Sequence, residues 1–161
     1  MASADSTKRR KVMAFGTFDL LHLGHIHYLK HAKRHGSQLI VVVARDDTVK
    51  RIKGRKPLKD EQTRVELVAS LKWVDRAVLG AKDPNHMLRV IKRFKPDVIA
   101  LGFDSIFNPD ELGKMLTCLG LKPTIIRISR YRDARASSTT LRARFKRMLC
   151  ERTTKTKHKK T

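Results

Sequence analysis

Two histidines three positions apart, His22 and His25, flank Gly24 at the end of the stretch Gly16 to His25, which reads Gly-Thr-Phe-Asp-Leu-Leu-His-Leu-Gly-His. Imidazoles at this spacing could ligate a metal, move protons as acid and base, or donate hydrogen bonds to phosphate. The metal option gains from His27, His31 and His35, which fall at i,i+4 spacing on one helix face. It lacks a nearby carboxylate or cysteine to complete a ligand set, and His31 and His35 read as polar surface residues. Phosphate handling fits better. Gly24 removes a side chain between the two imidazoles and Gly16 does the same before them, which opens the backbone to an anion. Attack on the α-phosphorus of a nucleoside triphosphate builds charge on its oxygens. Donors already in place lower that barrier, and no nucleophilic side chain is required.

Such residues need a strand to end beneath them and a helix to begin at them. Apolar runs predict strands at Lys11 to Phe15, Leu39 to Ala44, Ala77 to Leu79, Asp97 to Leu101 and Thr124 to Ile128. Helical patterns lie between and after them, at Gly24 to His35, Asp60 to Leu71, Pro84 to Phe94, Pro109 to Leu119 and Ser138 to Cys150. Asp60 is placed to cap its helix, Pro84 and Pro109 suit first-turn positions, and Gly36 and Gly120 stand where helices should stop. The alternation predicts an α/β, Rossmann-like domain: a five-stranded parallel sheet with helices on both faces. Asp46 to Lys59 reads as a long polar loop after the second strand. Its Lys50, Arg51, Lys53, Arg55 and Lys56 could cover phosphates or simply be solvated.

Composition sets the surroundings. The chain has 161 residues, 40% of them hydrophobic, which suits a single domain with its own core. The net charge is +22, and half of it lies in two stretches, +3 in residues 1–11 and +8 in residues 142–161. Residues 1–11 read as a flexible basic arm and 152–161 as a flexible basic tail, around one folded domain at 12–151. The body suits handling of phosphorylated anions. The termini could add sequence-independent contact with nucleic acid or serve solubility alone. Cys118 and Cys150 are expected to be free thiols in a reducing cytoplasm. Met1 to Lys11 lacks the apolar stretch of a signal peptide, and no later run is long enough to span a membrane.

Gly-Thr-Phe-Asp-x-x-His-x-Gly-His resembles the signature of the cytidylyltransferase-like nucleotidyltransferases. Within them Ala44 to Val49, Lys53 to Pro57, Arg64 and Lys95 to Asp104 most resemble archaeal FAD synthases, which transfer AMP from ATP to FMN. The likeness runs from Val12 to Asp104 and thins beyond. It implies catalysis by His22 and His25, and an ATP site formed by Thr17, Phe18, His22, Leu23, Gly24, His25, Asp104 and Tyr131. Arg64, Ser138 and Thr139 resemble groups that meet the triphosphate in related enzymes. Solvation of a helix surface is the other reading of Arg64, and Ser138 and Thr139 also suit a helix cap. Leu141, Phe145 and Leu149 give that last helix an apolar stripe to dock it.

Two departures stand out. Archaeal FAD synthases commonly carry two cysteines after the tyrosine, where this chain has Ala134 and Ser137. The Arg-Thr-x-Gly lead-in typical of the glycerol-phosphate enzymes is also absent.

The resulting expectation is AMP transfer from ATP to FMN, giving FAD and pyrophosphate, with a divalent ion, Mg²⁺, carried on the phosphates and no protein ligand for it. The alternatives are a cytidylyltransferase acting on glycerol 3-phosphate or an aminoalcohol phosphate, and a nucleic-acid-binding protein that works through its basic termini. The tetrad also occurs in class I aminoacyl-tRNA synthetases, but this chain is too short to hold their other parts and has no Lys-Met-Ser-Lys loop. Many domains of this kind pair, so a homodimer is compatible with the reading.

Overall fold

The computed structural model describes residues 10–83, 87–132, 139–144, 146 and 147. The expected arm and tail therefore lie almost wholly outside the described residues, as do Pro84, Ser138, Phe145 and Leu149.

Ten elements follow in order: β1 (Lys11–Gly16), α1 (Leu23–Lys33), β2 (Gln38–Val43), α2 (Asp46–Lys53), α3 (Glu61–Ala69), β3 (Arg76–Leu79), α4 (Met87–Phe94), β4 (Val98–Leu101), α5 (Pro109–Cys118) and β5 (Thr124–Arg127). Residues 139–144 are helical as well. All strand pairs are parallel, in the order β3-β2-β1-β4-β5. The central strands are apolar on both sides, as a doubly covered parallel sheet requires: Val12, Met13 and Ala14 of β1 are fully buried. Alternation along β1 sends Val12 and Ala14 to one face, with Leu29 and Ala32 of α1 and Val68 of α3. Met13 faces the other way, with Ile91 of α4 and Leu112 and Leu116 of α5. Helices thus cover both faces, and each core is closed by residues such as Leu29, whose truncation to Ala should cost about 2–5 kcal/mol.

The punctuation residues behave as their chemistry dictates, with one exception. Asp60 caps α3 by accepting from Thr63 N–H at 2.9 Å. Asn108 caps α5, with Pro109 in its first turn, and Gly120 ends it at φ 73°. Gly36 is the exception. It is no left-handed helix stop; a Cβ there would lie 2.4 Å from the Arg10 carbonyl oxygen, so the residue must be small where the chain passes β1.

The polar stretch from Asp46 to Lys59 is not one long loop. Its first half forms α2, with Asp46 and Asp47 in the first turn, Lys50, Arg51 and Lys53 in the last, and Gly54 closing it at φ 69°. Acids at the start and bases at the end complement the helix dipole, which explains why so polar a segment is helical.

Candidate active site

β1 continues beside β2 to Gly16, but its pairing with β4 stops at Ala14 and Ala100. The two strands part there because successive crossovers leave β1 in opposite directions, which makes their carboxyl ends the switch point of the sheet. Parting strands leave backbone groups without partners. Tyr28 of α1 supplies them: its hydroxyl donates to the Ala100 carbonyl at 2.7 Å and accepts from Phe15 N–H at 3.1 Å. Burial raises the tyrosine's pKa, so the hydroxyl keeps its proton.

Above this split lies a cleft of about 440 Å³, within the ordinary range for ligand sites. His22 and His25 stand at its edge, with ring centroids 3.8 Å apart and planes 26° apart. His22 is the cap of α1: its Nδ1 accepts from Gly24 N–H at 3.1 Å, and its carbonyl accepts from His25 N–H at 2.9 Å. Two first-turn amides expected to face an anion are thus already taken by His22. The donors for an anion shift to the ring nitrogens. With Nδ1 accepting, neutral His22 carries its proton on Nε2. Burial lowers the pKa of His22, opposed by Asp104. Burial, then His22 and Lys53, lower that of His25 to about 3, opposed by a backbone hydrogen bond at Leu20. At neutral pH both rings are therefore uncharged, which permits the stack. The Nδ1 of His25 is buried with no hydrogen-bond partner among the described residues.

Thr17, Phe18, Gly24, Asp104, Tyr131 and Thr139 line the same cleft. The structure gives Phe18 an additional role. It turns through φ 53°, its ring is 1% exposed, and it packs 5.1 Å from the ring of His25. That ring also accounts for Gly16, where a Cβ would come within 2.6 Å of Phe18 Cζ. Tyr131 lies 5.5 Å from His27, which in turn meets His31 at 4.1 Å. Leu23 does not line the cleft; it is 57% exposed.

Arg64 is neither on the helix surface nor on the cleft wall. It is fully buried, and each guanidinium nitrogen donates: Nε to Lys59 O, Nη1 to Thr17 O, and Nη2 to Ala44 O and the Asp46 carboxylate. One cation thereby ties together the loops that leave β1 and β2 and the start of α3. Asp19, 5% exposed, forms a second knot. It accepts from the Leu58 and Lys59 amides and pairs with Arg142 of the helical segment that carries Thr139. Tyr28, Asp19, Arg142 and Lys53, which also lines the cleft, were not singled out individually by sequence as site residues. Burial and Arg55 lower the pKa of Lys53, which marks an ammonium in a cationic, partly dry setting.

Three comparisons bear on this arrangement. The family model described as cytidylyltransferase-like matches residues 13–144. The FAD synthase of Thermoplasma volcanium is 45% identical over 142 residues, 88% of this chain and 98% of that protein. The FAD synthase of Pyrococcus abyssi is 42% identical over 146 residues, 89% of this chain and 97% of that one. A solved structure described as the lipopolysaccharide core biosynthesis protein of T. volcanium superposes with a TM-score of 0.72 at 48% identity, covering 76% of this chain and 98% of that one. A pantoate-beta-alanine ligase of Francisella tularensis, crystallised with an ATP analogue, superposes at 0.58 with 16% identity, over 81% of this chain and 63% of its own; it speaks for the fold alone.

Proposed function

The chain belongs to the cytidylyltransferase-like family, and on that premise we propose that it transfers AMP from ATP to FMN, giving FAD and pyrophosphate. The stacked His22–His25 pair, set in a cleft where β1 and β4 part, carries this reading. A terminal phosphate oxygen of FMN attacks the α-phosphorus of ATP in line. The new P–O bond forms as the bond to pyrophosphate breaks, and pyrophosphate leaves with the electron pair. Neutral His22 donates from Nε2 to the oxygens on which charge grows, while His25, its ring tied to the backbone at Leu20, stacks beside it. Phe18 and the stack hold both rings in place beforehand, which is what makes such donors effective. In this reading Lys53 and Thr139, which both line the cleft, respectively offset the repulsion between two phosphorylated substrates and meet the triphosphate.

FMN as acceptor is supported by relatives named FAD synthase that match over nearly their whole length. Mg²⁺ is proposed to accompany ATP. The carboxylates lining the cleft are Asp83 and Asp104, and among the described residues no group of three His, Cys, Asp or Glu is gathered to hold an ion. When bound, such an ion would be held by phosphate oxygens and water and would supply charge neutralisation for the leaving pyrophosphate.

The test is pyrophosphate release across ATP and CTP paired with FMN, glycerol 3-phosphate and phosphoethanolamine, with product masses read out. A flavin dinucleotide from ATP and FMN is expected. A cytidine product with FMN unreacted overturns the assignment.

A further inference from the structure

The cleft is divided chemically by the sheet itself. On the α1 side stand His22, His25 and their neighbours. On the side of α4 and α5 the wall is apolar, built by Phe15 and Val42 from the ends of β1 and β2, Met87 opening α4, and Phe107 just before α5. The rings of Phe15 and Phe107 meet edge to face at 6.3 Å. At the mouth, Ile52 and Ile106 are 52% and 72% exposed, though both line the cavity. Large side chains left wet at the rim of a pocket mark a surface that a ligand covers.

Besides His25 Nδ1, a second polar atom in this cleft lacks a partner among the described residues. Thr48 lies one helical turn from Ile52 on the same face of α2, and both line the cavity. Its Oγ1 is buried and makes no hydrogen bond among the described residues. A buried hydroxyl without a partner is unfavourable, and a ligand atom that pairs with it recovers the loss.

Taking the FMN reading as its basis, we propose that this lobe is the acceptor subsite. The planar isoalloxazine ring packs against Phe15, Val42 and Phe107 under Ile106, and the Thr48 hydroxyl pairs with a heteroatom on the ring edge. The chemistry matches at both edges of the ring. Its methylated benzene portion needs an apolar slot, its pyrimidine portion needs a partner that can donate or accept, and a hydroxyl does either. The phosphate, at the far end of a flexible polyol, is left to reach the histidines across the strand split. The sheet thereby keeps the neutral flavin ring on one face and the reacting phosphates on the other.

The experiment is steady-state FAD formation with FMN and ATP varied in turn, for the wild type, Thr48→Val, Thr48→Ser and Ile106→Ser. Thermal melting confirms folding, and Ile106 is exposed enough to change without threatening the core. Thr48→Val and Ile106→Ser should each raise KM for FMN by about fivefold to tenfold, the effect of one neutral hydrogen bond or a small apolar contact. KM for ATP should stay within about twofold, and Thr48→Ser should restore the wild-type KM for FMN. An FMN KM unmoved in Thr48→Val and Ile106→Ser, or an equal rise in KM for ATP, overturns the subsite while leaving FAD formation standing. A wild type that forms no FAD overturns the reading on which the subsite rests. Quenching of FMN fluorescence on titration with protein then decides the lobe separately. Weaker quenching by Thr48→Val than by the wild type supports it, and equal quenching or none overturns it.

Discussion

The hydroxyl of Tyr28 closes the gap between β1 and β4, donating to Ala100 O at 2.7 Å where the pairing of these strands ends. It accepts from Phe15 N–H as well, so Tyr28→Phe strands two buried backbone groups at once while keeping the ring. The substitution should lower unfolding free energy by about 1–3 kcal/mol. Urea unfolding of the two proteins measures it, and a difference under about 0.5 kcal/mol would contradict the role given to the hydroxyl.

His22→Ala and His25→Ala should each reduce kcat by about a hundredfold or more, the first by removing a preformed donor to a charged transition state and the second by removing the ring that holds that donor in place. His22 also caps α1, so its removal should cost about 1 kcal/mol of stability in addition. Single-turnover FAD formation with melting curves separates the two effects. Near-normal turnover in either variant would remove the histidines from the chemistry.

Stability should fall with acid in a window set by His25. Its folded pKa is about 3 against 6.5 in an unfolded chain, so the unfolded state binds the extra proton between those values. The stability due to neutral His25 is complete above about pH 6.5 and is lost as pH drops toward 3, with a slope no steeper than about 1.4 kcal/mol per pH unit. His25→Gln should remove that share of the slope. Denaturant unfolding of both proteins from about pH 7.5 to 4 provides the check, and identical slopes would refute it.

Arg64→Lys should destabilise the fold severely, by about 3 kcal/mol or more, because one ammonium cannot replace a fork that serves three carbonyls and Asp46. Chemical unfolding and ATP kinetics discriminate the alternatives. A variant of wild-type stability with only a raised KM for ATP would return Arg64 to the role of phosphate ligand.

What the sequence disclosed depended on how local the cause was. The strands and the histidine tetrad were legible because apolar runs and a three-residue spacing are local patterns. Helix α2 was also written locally, in Asp46 and Asp47 at one end, Gly54 at the other and Val49 buried between, but a high density of charge masked it. Arg64 read either as a triphosphate contact or as a solvated helix residue because arginines are seldom buried, and only the loops around it reveal why this one is. Tyr28 and Asp19 could not be singled out in this way, since their partners lie 72 residues away for Ala100 and 39 for Leu58.

The placement of β1 between β2 and β4 also governs when the site can exist. Lys11, at the start of β1, donates its amide to Asp97, just before β4, across 86 residues of sequence. At about 5–20 residues per second of ribosomal synthesis, on the order of ten seconds separates the emergence of those two strands. Throughout that interval a nascent chain carries the complete histidine motif on a helix with no opposite wall. A fragment that stops short of Val98 would keep every residue of Gly16 to His25 and form no cleft around them.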